Sequence, residues 1–186
     1  MKKILFVIVS IIMITGLTTK SMAQVTENTD AKAKILTALT IAETQYLEFG
    51  SMGVLASTGG TCVVSVASAR SATGGVTLSN LGATPSAAAY HVTGEPLYTY
   101  AITLPSTIAV TKVGGLGETM TIDNLLAKST AGVESHTATG TLIAIDGDDD
   151  FTVGGTLNVS AGQVSGAYVD IPRKVDHLFR SKLVHQ

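Results

Sequence analysis

The sequence predicts an all-β fold, an antiparallel immunoglobulin-like or pilin-like β-sandwich of about 8–10 short strands. The first ground is strict alternation. In "YTYAITL", Tyr98, Tyr100, Ile102 and Leu104 fall on one face, with Thr99, Ala101 and Thr103 on the other. A period of two marks a strand with one buried face. "FTVGGTLNVS" repeats it, with Phe151, Val153, Leu157 and Val159 opposed to Thr152, Thr156, Asn158 and Ser160. The second ground is punctuation. Gly59-Gly60, Gly74-Gly75, Gly94-Glu95-Pro96, Pro105-Ser106, Gly114-Gly115 and Gly147 cut the chain into runs of roughly ten residues, the spacing of sandwich strands. The third is composition: much Thr, Val and Gly and only 14% charged residues, which suits pleated, half-buried surfaces.

From the N-terminus, Lys2 and Lys3 precede an apolar stretch, Ile4 to Leu17, broken only by Ser10, Thr15 and Gly16. Ser21-Met22-Ala23 then places small residues before a cut at Gln24, so residues 1–23 read as a secretory signal peptide. The apolar stretch is shorter than the about 18 residues a membrane span needs. No second long apolar run follows it, so no stable membrane insertion is expected after cleavage. The expected destination is outside the cytoplasm: periplasmic, extracellular or cell-surface. Residues 24–169 are expected to form the sandwich and residues 170–186 a separate tail.

"AKAKILTALTIAETQYL" has helical propensity, but its β-branched residues and the "EFG" stop favour a first strand over Ala33 to Ala42. Further strands are expected at Thr61 to Ser68, Val76 to Asn80, Ala87 to Thr93, Tyr98 to Leu104 and Thr107 to Lys112. After these come Glu118 to Asn124, Gly140 to Ile145, Phe151 to Ser160 and Val164 to Val169. Gly154-Gly155 inside a strand implies a bulge or the close passage of another backbone.

The acidic stretch "IDGDDDF" poses the main chemical question. Asp146, Asp148 and Asp150 occupy positions 1, 3 and 5 of a calcium-loop template. That template then needs glycine at position 6 and glutamate at position 12, where this chain has Phe151 and Leu157. Asp and Gly between two alternating runs are ordinary turn chemistry, so a hairpin tip is expected and no metal site, with weak calcium binding at Asp146, Asp148 and Asp150 as the alternative. Cys62, the one cysteine, lies in the apolar run "CVVSV" and reads as a core residue. His91 falls on a strand's solvent face, His136 in a Ser/Thr-rich loop, and His177 and His185 in the tail. No HExxH, GxSxG or paired-carboxylate arrangement occurs, so no catalytic residue, cofactor or enzymatic activity is expected. Between Gln24 and Val169, 5 Lys/Arg face 12 Asp/Glu, net −7. An acidic body cannot release counterions from phosphate, which argues against a nucleic-acid partner. From Asp170 onward the balance reverses to 4 against 2, net +2.

Taken in order, "LEFGSM" (47–52), "ARSATGGVTL" (69–78, read as a hairpin), "YHVTGEPLYTYAITLPS" (90–106) and "FTVGGTLNVSAGQVSGAY" (151–168) resemble the bacterial family called domain of unknown function 4402. The resemblance covers roughly Ala31 to Tyr168. It implies an exported β-sandwich protein of a kind found in Bacteroidetes and Proteobacteria, with no activity established. Likeness to pilin-type subunits is an analogy of fold, which does not assign function. The chain departs from the family after "SGAY". Members continue with a final alternating strand, whereas this chain reads "VDIPRKVDHLFRSKLVHQ". Pro172 interrupts a strand there, and Ile171, Val175, Leu178, Phe179 and Leu183 recur at near-helical spacing. The tail therefore reads either as a replaced C-terminus lacking the last strand or as an amphipathic basic helix.

These readings predict an exported, non-enzymatic structural subunit of the cell surface, fimbria-like in character. Its expected partners are itself or other surface subunits, joined by strand addition at an unpaired sheet edge. The alternative is a carbohydrate- or surface-binding module. For that role Tyr90, Tyr98 and Tyr100 are the candidate stacking residues, although alternation places Tyr98 and Tyr100 more readily in a core face.

Overall fold

The computed structural model describes residues 30–170 and Leu183–Val184. The expected signal peptide lies outside the described residues, as does the tail segment read as a helix, apart from Leu183. The chain divides into two units, Met1–Ile35 and Leu36–Gln186. Residues 30–35 carry no regular secondary structure, and every strand belongs to the second unit.

The strands are β1 (Thr40–Gln45), β2 (Met52–Val54), β3 (Gly60–Val64), β4 (Arg70–Gly74), β5 (Val76–Leu78) and β6 (Ala88–Thr93). They continue with β7 (Thr99–Thr103), β8 (Ile108–Lys112), β9 (Thr119–Ser129), β10 (Thr137–Thr141) and β11 (Asp148–Val159). Two short ones close the series, β12 (Tyr168–Val169) and β13 (Leu183–Val184). The fold is all-β and every pairing is antiparallel. The main sheet runs β1-β6-β11-β9-β8-β12, with β3 on the C-terminal half of β11 and β4 on β3. A second sheet runs β10-β7-β13, and a third pairs β2 with β5.

β11 is the spine, because three strands pair with it. β6 takes Asp148 to Val153, β3 takes Gly155 to Val159, and β9 runs along the opposite side. Its odd-numbered residues Phe151, Val153, Leu157 and Val159 are buried, as alternation predicts. They meet Tyr100, Ile102 and Leu104 of the second sheet in one core, together with Cys62, Val64, Val92, Leu125 and Leu142. Burying a side chain such as Phe151 or Leu125 fully contributes about 1.5–3 kcal/mol.

Gly154 sits where the end of β3 crosses β11, and a Cβ there would lie 2.5 Å from the Val64 carbonyl oxygen. The bulge expected beside it exists, but its extra residue is in β9. Register advances from Gly154↔Leu126 to Thr156↔Asp123, and Asn124 takes the left-handed conformation (φ 47°).

Several elements differ from the sequence reading. The first strand begins at Thr40 instead of Ala33, because its pairing with β6 starts at Thr40↔Thr93. It is an edge strand whose six residues are all exposed. The "ARSATGGVTL" segment is not a hairpin: β4 pairs with β3, and β5 pairs with β2. β4 remains tied to that small sheet through Arg70. Its guanidinium donates to the carbonyls of Phe49 (3.0 Å), Ser51 (3.2 Å) and Ser79 (2.7 Å). β9 runs on to Ser129, since the bulge lets its buried row pass from Ile122 to Leu125 and Ala127. β10 ends at Thr141, and Leu183 lies in a strand beside β7.

Gly140 stands directly opposite Tyr100 in the β7–β10 pair. A Cβ at Gly140 would run into the Tyr100 ring. Overpacking of this kind costs about 1–3 kcal/mol. Gly140→Ala is therefore expected to destabilise the protein by that amount, seen as a lower urea midpoint with an unchanged denaturant slope. An unaltered midpoint would show that the ring does not lie against this strand.

Candidate functional site

The chemistry-bearing residues converge on the first half of β11. The turn that precedes it spans Leu142 to Gly147, closed by bonds from Ile143 N–H to Asp148 O (2.9 Å) and from Gly147 N–H to Ile143 O (3.2 Å). Gly147 adopts φ +68° against the Gly94 carbonyl, a conformation and a clearance that suit glycine. Asp146 lies in this turn, whereas Asp148, Asp149 and Asp150 already belong to the strand. The expected hairpin tip is not one, because β10 pairs with β7 and β11 with β6, β3 and β9, so the turn links two sheets. The strand begins three residues before Phe151. Strand alternation then separates the acids, as successive side chains take opposite faces.

Asp149 shares the inward parity of Phe151 and Val153 and is buried. Its Oδ2 accepts the Tyr100 hydroxyl at 3.0 Å, and its Oδ1 accepts the Asp150 N–H at 2.9 Å. The bond from Tyr100 crosses from the second sheet to the main sheet. Burial raises the Tyr100 phenol pKa far above its ordinary value of 10, and the Asp149 charge and hydrogen bond add to the rise. The hydroxyl therefore stays a neutral donor. Tyr90, opposite Phe151 on β6, stacks on that ring with centroids 4.9 Å apart. Burial raises its pKa too, helped by Glu43, whose Oε1 lies 3.5 Å from the hydroxyl. Tyr98 is half-buried and packs against the same core. The three tyrosines do not make a flat exposed platform: Tyr100 is 2% exposed, and Tyr90 lies against Phe151.

Asp148 and Asp150 take the outer face. Asp150 stands opposite His91, and its Oδ1 is 2.8 Å from His91 Nδ1. Asp148 Oδ1 is shielded from solvent without a hydrogen-bond partner among the described residues. Asp146, Asp148 and Asp150 do not gather around a point. Among the described residues no group of three His, Cys, Asp or Glu side chains could hold a metal ion. His136 Nδ1 lies 3.2 Å from the Leu125 carbonyl oxygen, away from the acids. Cys62 has no exposed surface, and burial raises its thiol pKa despite the opposing charge of Arg70.

Sequence reading missed Asp149. Its parity with Phe151 and Val153 was the available signal, masked by three neighbouring acids that look like solvated charge.

The buried acid and the tyrosines thus form a structural clasp between sheets. The family model for the domain of unknown function DUF4402 matches residues 39–170. The chain belongs to that family. The match takes in every described strand from β1 to β12, including the Asp149–Tyr100 bond and the Tyr90–Phe151 stack. Neither curated proteins nor solved structures give a match.

His91 yields a pH prediction. Its hydrogen bond to Asp150 raises its pKa above the ordinary 6.5, and the Asp150 and Asp148 charges act in the same direction. A raised folded-state pKa adds stability that is fully present below the unfolded value and fades as pH rises through the folded one. The melting-temperature advantage of the native protein over Asp150→Asn should therefore be larger at about pH 5.5 than at about pH 8.5. An advantage that grows with pH would contradict the pairing.

Proposed function

We propose that this chain is an exported, non-enzymatic structural subunit of the bacterial cell surface, fimbria-like in role. The observation that carries the reading is how its chemically capable side chains are used. Asp149 and Tyr100 are bonded to each other inside the core, Tyr90 is stacked on Phe151, and Cys62 is fully buried. Catalysis needs a nucleophile, acid or base within reach of a substrate, and these groups instead serve packing. Burial of Tyr100 and the stacking of Tyr90 on Phe151 also count against a sugar-stacking role. The leader-like residues 1–23 support export, and the exposed edge strand β1 supports association through added strands.

Protease treatment of intact cells producing the full chain tests this, with the purified chain screened for hydrolysis of ester, glycoside and peptide substrates. The expected outcome is removal of the protein from the cell exterior and no turnover. Retention in the cytoplasm, or turnover abolished by one point substitution, would overturn the proposal.

A further inference from the structure

The chain crosses twice between the main and second sheets at one place, out through residues 94–98 (β6 to β7) and back through residues 142–147 (β10 to β11). The two crossings are laced together. Gly94 N–H donates to Gly147 O (2.7 Å), Leu97 N–H to Leu142 O (3.1 Å) and Leu142 N–H to Tyr98 O (2.9 Å). Leu97 and Tyr98 therefore stand together opposite Leu142, which makes a β-bulge. Its first residue, Leu97, takes φ 68°, the left-handed conformation that such bulges ordinarily give to glycine. A leucine there strains the backbone. The strain serves no core, because Leu97 is 70% exposed. In the other crossing Ile145 is 86% and Ile143 48% exposed. Three large aliphatic side chains thus stand in water on two joined crossings, one of them held there against its backbone preference. Strain of this kind that the fold does not need is a pointer to function.

We propose that Leu97, Ile143 and Ile145 form a docking surface for a segment of another protein that carries aliphatic side chains flanked by Lys or Arg. Charge names the occupant. The crossings contain Glu95 and Asp146 and no Lys or Arg. Glu95 Oε2 accepts the Thr37 N–H at 3.1 Å, which keeps that carboxylate at the crossing. Asp148 follows at the start of β11, and the body from Gln24 to Val169 carries net −7. A second copy presenting the same surface brings acid against acid, a costly juxtaposition. An anionic lipid surface is repelled for the same reason. An apolar centre with a polar rim is the ordinary layout of a protein docking site. The patch is small beside the roughly 800 Å² a side of a stable interface, so the contact is weak and exchangeable. It uses side chains and not sheet edges, and so stands apart from the subunit reading.

The probe is a synthetic peptide of alternating Lys and Leu, titrated against the native full chain, with its Glu/Leu counterpart as control. The expected result is binding of the Lys/Leu peptide alone, weakened about tenfold by Leu97→Gly and by Ile145→Ser. Leu97→Gly separates docking from folding. Glycine relieves the left-handed residue, so the urea midpoint should stay level or rise while affinity falls. A midpoint that falls together with affinity would show that Leu97 serves the fold, and would overturn its assignment to the surface. Binding indifferent to both substitutions would mean that the peptide meets acidic charge in general, and would overturn the site. Association with phosphatidylcholine vesicles, or dimerisation of the native chain, lost in the same two variants would overturn the occupant in favour of a lipid surface or a second copy.

Discussion

The fold turns on a buried hydrogen bond between its two larger sheets. Hydrophobic contact alone is non-directional, and Phe151, Leu157 and Ile102 could tolerate some sliding of one sheet over the other. The Asp149 carboxylate cannot. Taking it out of water is costly unless its oxygens find donors, and the available donors are the Asp150 N–H and the Tyr100 hydroxyl. Tyr100 reaches it because Gly140 leaves room for the ring beside β10. Phe151 then packs between Tyr90 and Tyr100, with ring centroids 4.9 Å and 6.4 Å away. One carboxylate, one glycine and three rings thereby fix the register of β6, β11, β7 and β10 together.

Much of this architecture was legible in the sequence, because alternation reports burial directly. The inward rows Tyr100-Ile102-Leu104 and Phe151-Val153 were readable, and both are buried. The features that were not readable depend on long-range pairing or on a change of phase. At Asn124 the buried row shifts parity, so the second half of β9 looks like the end of a strand when it is a continuation. The Gly74-Gly75 step looks like a hairpin turn, but each flanking strand has a better partner elsewhere. Gly75 N–H donates to the Gly59 carbonyl, and Leu55 N–H to the Gly75 carbonyl, so the glycines bridge two sheets. In β1 the alternation began too early, since the strand starts only where β6 offers a partner.

The acidic run shows how local chemistry misleads when it is read without the strand's period. Four aspartates within five positions resemble a ligand cluster, yet strand geometry sends Asp149 inward and Asp148 and Asp150 outward. Two of them take distinct roles: a clasp between sheets for Asp149, and a cross-strand pair with His91 for Asp150.

The central claim, that Tyr100 and Asp149 act as one unit across the sheets, is tested most directly by a double-mutant cycle. Tyr100→Phe removes the donor and keeps the ring, Asp149→Asn removes the charge and keeps the shape, and the double variant removes both. Chemical unfolding of all four proteins yields the coupling energy. A direct buried bond to a charged group predicts that each single change costs about 1–3 kcal/mol and that the double change costs less than their sum by about 1–2 kcal/mol. Additivity within about 0.3–0.5 kcal/mol would mean that the two side chains are independent. The sheets would then be held by packing alone, and the clasp would have no part in fixing their register.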